Sequence, residues 1–268
     1  MHPIERLRYV ARVDGADPGL VASEAASALG EVAASDLGGL VTGCRRLIDR
    51  HPTNGALWWL SARLLTAPEP TDAAREAAAG LLHDPTPRRL ATALPDDTSV
   101  LAVGWPDAVA ETLRRRGDLE VLLVDSGGDG SSLARRLQAD GAAVSVVPDA
   151  GVASAATVAG IVVVEALAAG PSGLLAAPGS HAAAAVAHQM GVPVWAVTGV
   201  GRVLPEGLWA ALLARFDDTG LEPWDRAVEL VPATLIDAVV GPEGRRDVAD
   251  GLTDATCPTA PELLRRTA

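Results

Sequence analysis

Residues 121–151, VLLVDSGGDGSSLARRLQADGAAVSVVPDAG, decide the fold. An apolar run, Val121–Asp125, breaks into glycines, then into two serines that open a helical stretch, then into a second apolar run, Ala143–Pro148. Short β-branched runs without alternation fit strands buried on both faces. A helical crossover between two such strands is the unit of a parallel sheet. Working outward, the unit recurs at 99–104, 160–166 and 193–198, with helical stretches expected at 107–116, 130–140 and 180–190 and a short one within 150–158. The spacing predicts a doubly wound, Rossmann-like, mostly parallel α/β sheet over 93–268, with ligands collecting beyond the carboxyl ends of its strands.

Residues 1–92 have a different texture, rich in alanine, leucine and arginine, and are expected to form a small all-helical amino-terminal domain. Asp17-Pro18 suits a helix cap and first turn, and Asn54 suits a second cap. Leu40, Cys44, Leu47 and Ile48 fall at helical spacing, which turns Cys44 toward a core. Trp58 and Trp59 are adjacent, so a helix cannot bury both on the same face; ordinary packing is expected, with a place for one at a domain or subunit seam as the alternative. The proline-rich stretches at 84–89 and 94–97 read as punctuation between the two textures.

The 268 residues carry 34 acidic and 22 basic side chains, a formal charge of −12, and every basic residue is arginine. This field disfavours nucleic acid and anionic membranes as partners, and the absence of lysine excludes Schiff-base chemistry. Two distant cysteines, Cys44 and Cys257, suggest neither a disulfide framework nor zinc. No apolar run suits a signal peptide or a membrane span, so a cytoplasmic protein is expected. No cofactor is expected, and the five histidines lack metal-ligand spacing.

The loop 125–132 lacks the lysine of a Walker loop and the glycine spacing of a dinucleotide fingerprint. It serves equally as a serine-capped turn or as an amide cradle for a phosphate. The loop Ala177-Pro178-Gly179-Ser180-His181 offers a second set of amides to the same ligand.

Five segments, in order, resemble the alpha, beta and delta subunits of eukaryotic translation initiation factor 2B and their relatives, methylthioribose-1-phosphate and ribose-1,5-bisphosphate isomerases. They are Arg50-His51-Pro52-Thr53-Asn54 with Ala56-Leu57-Trp58; 99–113; 121–151; 161–197; and 224–244, WDRAVELVPATLIDAVVGPEG. The resemblance implies a ligand site at Gly128, Gly130, Ser131, Gly179 and Ser180, with Arg202 standing for a family lysine. It also implies a homodimer through the second domain, with Trp209 and Trp224 in or near its surface. The departures are chemical. Where the isomerases carry a catalytic cysteine this chain has Gly104-Trp105-Pro106-Asp107, and the catalytic aspartate falls at Glu165. Gly127 replaces an expected arginine. Two functions remain: a non-catalytic protein that binds a small phosphorylated metabolite or acts in assembly, and a sugar-phosphate aldose–ketose isomerase using Glu165 with Asp149 or His181 as the acid.

Overall fold

The structure, a computed structural model, describes residues 18–218, 220–253 and 255–265. Asp17, expected as a cap, and the opening segment lie outside them. Four helices come first: α1 Pro18–Ser35, α2 Leu37–Arg50, α3 Gly55–Thr66 and α4 Pro70–Leu82. Asn54 caps α3, its side chain accepting from the Leu57 amide at 3.3 Å. Leu40, Cys44, Leu47 and Ile48 are all buried, as their spacing requires. Trp58 and Trp59 are both buried, because α3 runs through the centre of this layer and is covered on every side from Gly55 to Ala62. Trp59 nonetheless lies at a seam, its indole packing onto Gly201 of the α/β part. The proline-rich run at 84–89 is more than punctuation. Asp84 accepts from the Thr86 amide at 2.8 Å, and helix α5, Thr86–Ala93, follows with Pro87 in a first turn that needs no amide donor. Its Leu90, with Leu94, packs into the core beneath the sheet.

The main sheet holds β1 Ser99–Val103, β2 Glu120–Asp125, β3 Ala143–Pro148, β4 Ile161–Glu165, β7 Val194–Val197, β9 Ala238–Gly241 and β10 Gly244–Arg246. Its order is β10-β9-β7-β4-β1-β2-β3, and every pairing is parallel except β9 with β10. Helices α6 Asp107–Leu113, α7 Asp129–Ala139, α8 Val152–Val158 and α9 Ser180–Met190 supply crossovers, giving two cores of Val, Leu, Ile and Ala around the sheet. The direction of winding reverses between β1 and β4, where a doubly wound sheet opens a crevice.

A second sheet was not foreseen. β5 Ala168–Gly170, β6 Gly173–Ala176 and β8 Glu229–Pro232 pair antiparallel, with Trp209 of helix α10 Glu206–Asp217 lying across Gly170. The backbone amide of Gly55 donates to Leu167 at 3.0 Å, so α3 starts where β4 hands over to this small sheet. One core cluster joins Trp58 and Trp59 to Leu175, Leu208 and Trp209. The helical layer is thereby fixed over the strand ends. No helix among the described residues is long and apolar enough to cross a membrane.

Candidate functional site

Three strand-to-helix turns meet at the carboxyl edge of the sheet. Gly128 and Gly179 stand at the starts of α7 and α9 with φ of 92° and 97°, a left-handed bend that a Cβ would strain. Ser126 Oγ donates to the Pro178 carbonyl at 2.9 Å and holds the two turns together.

The amides at these turns already face carboxylates of the chain itself. Asp125 accepts from the Ser131 hydroxyl at 2.6 Å and the Ser131 amide at 2.9 Å. The Ser131 hydroxyl and amide, with smaller help from the amides of Gly130 and Gly128, hold the Asp125 carboxyl below its ordinary range. Glu229 accepts from the His181 amide at 2.7 Å, and Ser180 donates its own amide to the Ala177 carbonyl at 3.1 Å. Glu165 at the end of β4 accepts from the amides of Ala108 and Val109 at 2.9 and 3.1 Å. Backbone nests of this kind favour a negative charge, and here a side chain provides it.

A pH dependence follows from Asp125. Its folded value lies below the unfolded one, so it adds stability above about pH 4 that is lost as pH falls through the depressed value. Asp125→Asn is expected to lower the urea midpoint at pH 7 and to flatten the fall of that midpoint between about pH 5 and pH 3. Urea titrations of both proteins at these pH values check this; parallel curves would show that the loop gains nothing from the charge.

A cleft of about 1020 Å³ lies between the helical layer and the strand ends at the β1–β4 reversal. Arg50, His51 and Asn54 line it from the helical side, and Trp105, Asp107 and Glu165 from the sheet side. Ser180 and Arg202 complete the lining. Thus Glu165, Ser180 and Arg202 come together as the sequence suggested. Gly128, Gly130, Ser131, Gly179, His181 and Asp149 stand outside the lining. Asp149 is exposed beyond the edge strand β3, three strands from β4 and hence roughly 14 Å away across the sheet. Sequence reasoning missed Trp105 and Asp107 as a pair. The indole N–H of Trp105 donates to Asp107 Oδ1 at 2.9 Å and fixes a half-buried ring on the cleft wall. The spacing of a donor and acceptor two residues apart after a strand was the available signal.

Arg202 is 8% exposed, and its Nη1 donates to the Ala166 carbonyl at 2.9 Å. Among the described residues no carboxylate pairs with it. Among the described residues the guanidinium is held by a neutral carbonyl and not by a counter-charge, and its other nitrogens are not buried without a partner. An anion in the cleft would supply that counter-charge. Neither cysteine reaches the cleft: both are buried in the core of the helical layer, and burial pushes each thiol up to about 12. Among the described residues no group of His, Cys, Asp and Glu converges as a metal site.

Fold and cleft together define an α/β protein with a helical amino-terminal layer closing a crevice at the switch point of its sheet. No protein-family profile matches the chain, and no curated protein matches it by sequence. Solved structures do match in fold. Translation initiation factor eIF-2B from Pyrococcus horikoshii aligns over 94% of this chain and 98% of its own, with a TM-score of 0.74 at 18% identity. The beta subunit of eIF2B from Chaetomium thermophilum aligns over 92% and 87%, with a TM-score of 0.69 at 19% identity. A chain of the tetrameric eIF2B beta2-delta2 complex from the same organism aligns over 92% and 90%, with a TM-score of 0.71 at 20% identity. This chain therefore has the fold of the eIF2B subunits, and the resemblance drawn from its five segments holds at that level.

Proposed function

We propose that this chain is a non-catalytic, eIF2B-like binding protein that holds a small phosphorylated metabolite in the cleft and assembles as a homodimer in the cytoplasm. The buried Arg202, without a carboxylate partner among the described residues, carries the reading, because a phosphate group would provide a counter-charge. Ser180, only 2% exposed on the same wall, adds a hydroxyl. The amides of Gly128, Gly130 and Ser131 contribute fixed structure around Asp125, and Gly179 sets the turn that presents Ser180.

Three features favour binding over isomerisation. Trp105 and Pro106 occupy the cleft wall where the resembling isomerases place a cysteine. Glu165 Oε2 accepts from two backbone amides, so that oxygen is already committed to the start of α6. Asp149 and His181 do not line the cleft. Assembly rests on Trp224, 79% exposed, with Leu221, 52% exposed, on the same loop; Trp209 instead fills the protein's own core, its indole bonded to Ser172.

Native mass spectrometry of freshly purified protein, paired with calorimetry against ribose 5-phosphate and nucleoside monophosphates, tests both parts. The expected result is a mass of two chains and binding below millimolar, weakened at least about tenfold by Arg202→Met with the fold retained by circular dichroism. A monomer at micromolar concentration would remove the assembly, and no binding below millimolar would remove the ligand.

A further inference from the structure

The turn that carries Arg202 is built against the helical layer. Residues 199–202 form a turn closed by the Arg202 amide, which donates to the Gly199 carbonyl at 3.1 Å, with φ of 75° at Gly201, a left-handed position that suits glycine. The amide of its second residue, Val200, is bonded from outside the turn: Asp84 Oδ2 accepts from it at 2.8 Å. Asp84 Oδ1 accepts from the Thr86 amide at 2.8 Å, so the carboxylate is itself fixed at the entry to α5. We infer that Asp84 is a positioning residue for the cleft: by gripping the turn 199–202 it sets where the Arg202 guanidinium stands. The inference rests on the reading that Arg202 receives an anion there, whichever molecule carries it.

Two glycines let the grip be close. A Cβ on Gly199 would lie 2.6 Å from Asp84 Oδ2, and one on Gly201 would lie 2.9 Å from the Trp59 ring. Val200 packs partly against the core of the helical layer. On the opposite side the Arg202 carbonyl accepts from the Ala169 amide at 2.7 Å, and Nη1 donates to the Ala166 carbonyl at 2.9 Å. Arg202 is thus suspended between the helical layer, through Asp84 and Trp59, and the small sheet, through Ala169. Asp84 is half-buried and does not line the cleft, so it acts on the site through the turn and not by touching a ligand. A carboxylate serving two amides makes the stronger, charge-assisted kind of hydrogen bond, and one of those amides stands two residues before the arginine. Linkage makes the effect reciprocal. If the Asp84–Val200 bond favours the anion-binding position of Arg202, an anion at Arg202 stabilises that bond by the same factor.

Calorimetry with ribose 5-phosphate on the full chain, at a temperature where circular dichroism shows each protein folded, tests this together with amide hydrogen exchange. Asp84→Ser keeps a hydroxyl for the Thr86 amide and loses the second oxygen that Val200 needs. It is expected to bind about fivefold or more weakly than wild type, within the span of coupling between neighbours in one hydrogen-bond network. In the wild type, saturation with ribose 5-phosphate is expected to slow exchange of the Val200 amide by about fivefold or more, by the same linkage. A role confined to stability would lower the melting temperature of Asp84→Ser and move neither quantity. Unchanged affinity in the folded variant overturns the inference, and so does an unchanged Val200 amide in the saturated wild type. The exchange measurement needs no variant and decides the matter if Asp84→Ser does not fold. Wild-type protein that does not bind ribose 5-phosphate below millimolar concentration removes the ligand site, and this inference with it.

Discussion

Gly130→Ala is expected to cost about 3 kcal/mol, the upper part of the range for overpacking, and to lower the melting temperature by about 6–12 °C. A Cβ at this position would lie 2.4 Å from the Val124 carbonyl oxygen and 2.8 Å from the Asp125 Cα. Both are backbone atoms of β2, so no rotamer relieves the clash; α7 must move off the strand that feeds it. The movement would also pull Ser131 from Asp125, because that pairing depends on the first turn of α7 standing directly over the strand end. A glycine at this place is the close-packing device of a strand–loop–helix phosphate motif, retained although the nest beside it faces an aspartate. Differential scanning calorimetry checks the magnitude. A shift below about 2 °C would mean that α7 accommodates a methyl group without strain.

Trp58→Ala is expected to cost about 3–5 kcal/mol, the usual range for removing a buried aromatic. Trp58 is fully buried, its N–H donates to the Pro52 carbonyl at 2.9 Å, and the Arg215 guanidinium lies 4.7 Å from its ring centroid. Arg215 is itself only 7% exposed and also bonds Asp49 and the carbonyls of Ala211 and Leu263. Losing the indole therefore leaves a cavity next to a buried charge. It also frees Pro52, which lines the cleft, so ligand affinity should fall with stability although Trp58 is not itself part of the lining. Urea denaturation with calorimetry on the same variant checks both. Trp58→Phe should recover most of the packing and lose the hydrogen bond, about 0.5–1.5 kcal/mol.

Local pattern made much of this protein legible. The strands beginning at Ser99, Glu120, Ala143, Ile161 and Val194 announce themselves as β-branched runs between glycines, and the helices around Cys44 and Asn54 show their apolar spacing and cap within a few residues. Glu165 was within reach as a strand end, Ser180 as the start of a helix after a Pro-Gly turn, and Arg202 through the resemblance that sets it against a family lysine. The sequence by itself determined the parallel α/β architecture, the helical layer before it and the edge at which a cleft would open. Those properties depend on periodicity and on turns, which are interactions between near neighbours in the chain.

Tertiary structure alone decided which candidates meet. The sheet order put Asp149 at the far edge and set Trp105 and Glu165 at the ends of neighbouring strands, where Arg202 joins them through the Ala166 carbonyl, and no local signal specifies strand order. The carboxylates that face the amides of Ala108 and His181 come from Glu165 and Glu229, 57 and 48 residues away. The small sheet of β5, β6 and β8 joins strands too short to stand out in the sequence, separated by an entire crossover and helix α10. Trp59 and Trp209 became core, and Trp224 surface, through packing across the seam between the two layers. Contacts of this range form only when the whole chain has collapsed around a common core, so their partners cannot be read from the residues beside them.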